Sequence, residues 1–513
     1  MERSNFLRRI NLENPCSDMT LTPQEQPSRS KKYFQRFDLV VLVAILVLSA
    51  SIALVLVQGD RTILRVTNFS WKNKAIGVED RWFTMTFNRP VARESVEKNL
   101  IVKPSLPGKI SWTGQKLVYT LTELPIYGNN YQLILKGASK SYSDEMMETY
   151  VNVFKSHDRA FVYLGVEEQE RGQLILVNIT QKTKKALTPR DLVVTNFEIY
   201  PKSDKILFSA FERGSWSKGI DKQQLYTVST GLDFQSSKSA EPLGRIQPLL
   251  DAKDYQNLKF DLSDNGKTIV IERVNRNNRA DSGLWVIPES GEPRPLGLPG
   301  NNFMVAPDGN TVAVAQRGGV ATIPLNPEGD SSKFLPGYEA IVGFSKEGSQ
   351  QFLVKDNSDY TRSLVLLKKD GTTKELFQTF APIVNCKLEP REEKILYCLK
   401  IGLVQREEQQ FREEAYLAAI NLETAKEVPL LVLPIYRNVQ MSMSPDGVAL
   451  LFDQIVTTFP NANADLRTDR TQAIINSRLW LLTLPELETV AGTKPSQILP
   501  EELNPGFQPQ WIP

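Results

Sequence analysis

Histidine occurs once in the 513-residue sequence, at His157, and cysteine three times, at Cys16, Cys386 and Cys398. A zinc site built from imidazole and thiolate ligands needs more donors than that. Any Ser-His or Cys-His nucleophile system would have to use His157, which stands in KSHDRA. With no Gly-x-Ser-x-Gly turn elsewhere, that residue reads as a linker histidine in an exposed junction. An excess of one charge is missing too: 61 basic residues face 59 acidic ones, for a net charge of +2. No general field draws such a chain onto nucleic acid. Glycine-rich phosphate loops are absent as well, so the sequence implies no cofactor, no metal and no catalytic residue.

What is present is globular in composition, with 41% hydrophobic and 23% charged residues, and long enough for about three domains. One stretch departs from that. Leu39 to Val57 carries no charge and only two polar side chains, both serines. As a helix it is about 28 Å long, close to the ~30 Å hydrocarbon thickness of a bilayer. Residues 38–59 are therefore expected to form a single transmembrane helix, with 39–57 in the lipid bilayer. A signal peptide has a shorter apolar core behind a short basic start, whereas 37 residues precede Asp38 here. Arg29, Lys31, Lys32 and Arg36 before the segment, against Arg61 and Arg65 after it, favour a cytoplasmic N-terminus. Residues 1–37, rich in Asn, Ser, Thr, Gln and Pro, read as a disordered cytoplasmic tail. The remainder then lies in the periplasm or outside the cell.

From 62 to 155 short alternating runs, WFTMTF, KLVYTL and YQLILKG, are separated by turn residues such as Asn88, Pro107, Gly108, Gly114 and Gly128. That pattern predicts a small β-sandwich. The TFNRPV step at 86–91, Ser95-Val96, Leu124-Pro125 and the YGNNYQLIL strand resemble bacterial immunoglobulin-like domains of the SbsA type. The resemblance implies a spacer or adhesive module, without chemistry.

Beyond Asp158 one unit recurs: an apolar run, a Ser-Pro-Asp-Gly-like turn, a second apolar run, a loop and a third run. MSMSPDGVALLF (441–452) with SRLWLLTL (477–484) is the clearest copy; FMVAPDGNTVAVAQ (303–316) and FDLSDNGKTIVIERV (260–274) are others. Six copies have turns about 40 to 60 residues apart, as in propeller blades whose insertions fall in loops. Asp308 and Asp446 read as turn formers and not as ligands. The step resembles the repeat of TolB-type propellers, which implies an extracytoplasmic interaction module. Residues 159–189 supply three more strands but no first strand, and GFQPQWIP at 506–513 fits that role. Phe507, Trp511 and Ile512 would then close a ring.

The fold class expected is mainly β: an N-terminal transmembrane helix, an Ig-like β-sandwich (62–155), then a seven-bladed β-propeller (159–513) closed by the C-terminal strand. Cys386 and Cys398 fall opposite one another on adjacent antiparallel strands; an oxidising compartment leaves a disulfide open, while the ladder geometry favours two buried thiols. Long loops between the second and third strands gather on one face in such a ring. They carry Arg213, Trp216, Arg273, Arg276, Arg279, Arg406, Arg412, Arg467 and Arg470. Arginine and tryptophan are favoured anchors for a protein or cell-envelope polymer, and the same set also fits an ordinary solvated surface. A peptidoglycan- or polysaccharide-binding propeller, or a lyase, is the alternative. It calls for paired carboxylates in a central pocket, and the repeats show none.

Overall fold

In the computed structural model the described residues are 36–58, 63–141, 145–214, 222–232, 241–300, 302–326, 332–380, 382–383, 385–405, 411–433, 438–459, 464–468, 472–485 and 498–513. The expected tail lies almost wholly outside them. Helix α1 runs Arg36–Gln58, 23 residues. Its side chains are described over 39–54 only, and among the described residues no helix is long and apolar enough to cross a membrane. Residues 64–513 form one compact unit, separate from 1–63.

The first part of that unit is a sandwich of two four-stranded sheets. One holds Val66–Phe69, Trp82–Phe87, Lys116–Leu121 and Gly108–Thr113; the other holds Ala75–Ile76, Tyr150–Ser156, Asn130–Leu135 and Leu100–Lys103. Alternation dictates it: Phe83, Met85 and Phe87 of the first sheet share a core with Tyr131, Leu133 and Leu135 of the second. Arg93–Asn99, around Ser95-Val96, is a short helix, α2.

Seven further sheets follow, each of four antiparallel strands, six of them taken in chain order. Their first strands are Leu192–Ile199 (blade 2), Tyr255–Leu262 (blade 3), Phe303–Val305 (blade 4), Ala340–Phe344 (blade 5), Asn385–Leu388 (blade 6) and Met441–Met443 (blade 7). Blade 1 takes its first strand from Gly506–Trp511, which pairs antiparallel with Ala160–Gly165. The first strands of blades 3, 4, 5, 6, 7 and 1 touch in turn, and Gln510 of blade 1 bonds to the Phe197 carbonyl of blade 2. This is a seven-bladed propeller, and its strands read accordingly. Ala160–Gly165 is buried at every position, while the outermost strand of the same blade, Thr183–Ala186, is exposed at every position.

The turn between first and second strands in blades 2 to 7 needs a left-handed residue. Gly447, Gly309, Gly266 and Gly348 supply it with φ of 69°, 70°, 70° and 67°. In blade 2 the same place is held by Ser203, which takes φ 62° itself, at a cost of about 1 kcal/mol.

Two sequence expectations are corrected here. Cys386 and Cys398 are opposite each other as expected, but they form a disulfide and not two thiols. The closeness of directly opposed residues in a sheet, with a Cα–Cα distance of 4.2 Å, brings the sulfurs within bonding reach. Loop-closure entropy predicts that a Cys386→Ser, Cys398→Ser variant unfolds about 3 kcal/mol more easily in urea. Equal midpoints for the variant and the oxidised protein would show the bond to be without effect. His157, expected in an exposed junction, is buried (8% exposed). It is walled in by Gly77 and by Tyr127, whose ring lies 5.4 Å from the imidazole.

Candidate functional site

An up-and-down blade sends the loop between its first and second strands to one face of the ring, and the loop between its second and third strands to the other. The sandwich sits on the first of these faces. Asp446, in the turn of blade 7, is 1% exposed and accepts a hydrogen bond from the Tyr127 backbone N–H at 3.0 Å. The same carboxylate oxygen meets Arg159 Nη2 at 3.3 Å. Lys346, in the turn of blade 5, pairs with Glu79 of the sandwich at the surface. Asp446 thus forms its turn, as the sequence suggested, and also ties two domains together. Burial holds the His157 imidazole beside this seam down to about 4, so it is neutral at ordinary pH.

The opposite face carries the loops on which the arginine set was placed. Arg213 donates to Asp465 Oδ2 at 2.8 Å and to the Arg190 carbonyl at 2.7 Å. Arg171 reaches the other oxygen of Asp465 at 2.6 Å, and the neighbouring Leu466 is 1% exposed. One carboxylate therefore staples the loops of blades 7, 1 and 2. Arg273 is buried, its guanidinium 4.2 Å from the Tyr255 ring centre and 4.9 Å from that of Trp285. Arg276 and Arg467 donate to the nearby carbonyls of Ala252 and Ala464, and Arg279 is exposed. Trp216, Arg406 and Arg470 lie outside the described residues, as does the Arg412 side chain. Among the described residues Arg213, Arg273, Arg276 and Arg467 are each held by partners of their own.

What this face does present is aromatic. Tyr360 is 94% exposed, Phe380 74% and Phe459 88%. Tyr360 and Phe459 lie between second and third strands, and Phe380 follows the fourth strand of blade 5, at the same end. Sequence reasoning passed over them because each is a single aromatic in a polar loop. The signal available was the tyrosine in NSDYT, where a turn needs only small polar residues.

Inside the ring, the residue three places before each turn comes from an innermost strand: Gln510, Glu198, Asp261, Met304, Gly343, Lys387 and Ser442. Glu198 and Asp261 stand on the first strands of adjacent blades, near enough for the charge of one to act on the other, which the reading of the repeats had not shown. Both are partly exposed as whole residues, with carboxyls walled by protein. That burial, with the Asp261 charge beside it, raises Glu198 to about 8. Asp261 rises to about 6, again by burial, although the Val305 N–H donates to it at 2.6 Å. Burial also pushes Asp453 up to about 7, where it accepts from Gln508 N–H and Gln440 N–H. A carboxyl raised on folding binds a proton that the unfolded chain releases. Its contribution is therefore complete below the unfolded value and disappears as pH climbs through the folded one. Melting temperature should fall between pH 5 and pH 8, and the fall should be shallower in Glu198→Gln. A wild-type profile that rises across this window would contradict the assignment.

Among the described residues no group of three or more His, Cys, Asp or Glu could hold a metal ion. No family model matches the chain, and no curated protein matches it. Among solved structures it is similar to TolB from Acinetobacter baumannii, at 12% identity over 81% of this chain and 83% of that one, TM-score 0.38. It is also similar to Kuenenia stuttgartiensis hydrazine synthase, at 14% identity over 59% and 80%, TM-score 0.35. Neither adds to what the seven sheets already establish.

Proposed function

We propose that this is a membrane-anchored protein whose propeller stands outside the cytoplasm and docks a protein of the cell envelope, without chemistry of its own. What supports it above all is the position of the sandwich. It occupies the face of the first turns, through Asp446 and Lys346, and so leaves the aromatic-bearing face open. Exposed aromatics on loops held by a rigid ring are the usual makings of a binding surface. The Cys386–Cys398 disulfide fits an oxidising compartment, and the apolar run of α1 fits an anchor through residues 39–57. The sandwich, Ig-like by its sequence motifs, serves as the spacer between membrane and propeller.

Cross-linking in the native membrane followed by mass spectrometry tests the docking, and protease shaving of intact cells and spheroplasts tests the topology. One protein cross-linked to the loops at 357–361 and 459–472, with the propeller cut only from outside, is the expected result. A propeller cut only after the cytoplasm is opened would reverse the orientation. A propeller that joins no protein would end the docking reading.

A second reading rests on Glu198 and Asp261. Two coupled carboxyls with raised values near a ring axis suit a glycan binder or a lyase. Retention or cleavage of peptidoglycan fragments by wild type, lost in Glu198→Gln, would favour it over docking.

A further inference from the structure

We infer that the loop end of blade 5 is the anchor point of the docking face, and that it takes a protein segment carrying an apolar side chain beside a lysine or arginine. This rests on the docking reading above. Tyr360 lies in the loop between Gln350–Asp356 and Arg362–Lys368, and Phe380 directly follows Thr373–Thr379. Arg362 pairs with Thr379, so the register carries Thr361 opposite Phe380 and places both rings at one end of one sheet. Two aromatic side chains are thus left in water at the same end of the sheet. Each has the flat, stiff apolar area that dominates protein interfaces.

The loop is built to hold that arrangement. Asn357 Nδ2 donates to Thr361 Oγ1 at 2.9 Å and to Ser363 Oγ at 2.8 Å, and Asn357 N–H reaches the Thr361 carbonyl at 2.8 Å. Tyr360 itself sits at φ 64°, where a glycine or asparagine would be less strained. A side chain at such a position and almost fully exposed contributes nothing to the core.

Charge decides the occupant. Arg362 is committed to Asp356 at 3.1 Å and Glu339 at 3.4 Å. Asp359, next to Tyr360, is held by neutral donors: Thr361 Oγ1 at 2.5 Å, Thr361 N–H at 3.1 Å and Gln378 Nε2 at 3.1 Å. Its charge is stabilised by those bonds, and among the described residues no cation pairs with it. A second copy docking here across a two-fold axis would set Asp359 near its own counterpart, which like-charge repulsion disfavours. A saccharide calls for a concave seat, whereas these rings stand proud of the loop. A basic, apolar protein segment satisfies the rings and the carboxylate together.

The test selects from a displayed library of random dodecapeptides on the purified full-length chain. Synthetic versions of the winners are then titrated against Tyr360→Gly, Phe380→Ala and Asp359→Asn. Glycine adopts φ 64° freely, so Tyr360→Gly removes the ring without threatening the fold. The expected winners carry an apolar residue within two positions of Lys or Arg. Their affinity should fall about tenfold in each ring variant, and several-fold, with a flatter salt dependence, in Asp359→Asn. Winners that bind all three variants as well as wild type would place the anchor elsewhere while leaving the docking reading intact. No selected peptide at all, with peptidoglycan fragments bound instead, would sink both. A concentration-dependent dimer abolished by Tyr360→Gly would make the occupant a second copy and overturn the assignment.

Discussion

A chain shortened to Pro505 loses the cooperative melting of its propeller. The strand Gly506–Trp511 is the inner strand of blade 1, and removing it bares the backbone edge of Ala160–Gly165. Phe507, Trp511 and Ile512 are 7%, 5% and 1% exposed, packed among residues of blades 1, 2 and 7. Burying side chains of this size is worth about 1.5–3 kcal/mol each. Together that approaches the ~5–15 kcal/mol stability of a whole domain. Further contacts go with the strand. Trp511 N–H donates to Ser442 Oγ at 3.0 Å, Gln510 Nε2 to the Phe197 carbonyl at 3.0 Å, and Ile512 N–H to the Ala160 carbonyl at 2.9 Å. Calorimetry of the shortened chain should show a broad, early transition in place of the propeller peak. A peak unchanged in position and enthalpy would mean that the ring does not depend on this strand.

The second large effect is expected at Asp446. In Asp446→Ala the Tyr127 N–H is left buried without its acceptor and Arg159 loses its counter-charge. The turn also loses the oxygen that accepts from Val448 N–H. An unsatisfied buried donor costs about 1–3 kcal/mol, and Arg159 is partly solvated, so the total is about 3 kcal/mol. Its signature is specific: the sandwich should melt apart from the propeller, and the 157–159 junction should become a protease site. Asp446→Asn keeps an acceptor for Tyr127 and should retain most of the coupling. Alanine and asparagine variants that melt alike, in one transition, would show that the seam does not run through this side chain.

The blades were legible because their chemistry is local. Pro445, Asp446 and Gly447 make a turn from consecutive residues, and the apolar runs on either side give the strands. The missing first strand of blade 1 was legible by counting. Bonds across long separations were not: Asp446 and Tyr127 are 319 residues apart, and Arg213 and Asp465 are 252 apart. Arg213 looked like a surface anchor because the carboxylate that holds it, Asp465, comes from another blade's loop. Glu198 and Asp261 could have been found, since both stand three places before a repeat turn, but acids scattered through different repeats do not announce a shared axis. The cysteines were placed correctly and their bonding misjudged, because register fixes which residues face each other while redox chemistry decides whether they join.

Blade 1 also ties assembly to the clock of synthesis. Its second strand is made about 340 residues before the strand that completes it, and at the usual ~5–20 residues per second the wait is roughly 20–70 s. Throughout that interval Ala160–Gly165, apolar along its whole length, offers an unpaired edge to any strand that passes. The six later blades can form as they emerge, but the ring cannot. Whatever keeps this nascent chain from mispairing must act on the first blade and hold it until the last one is finished.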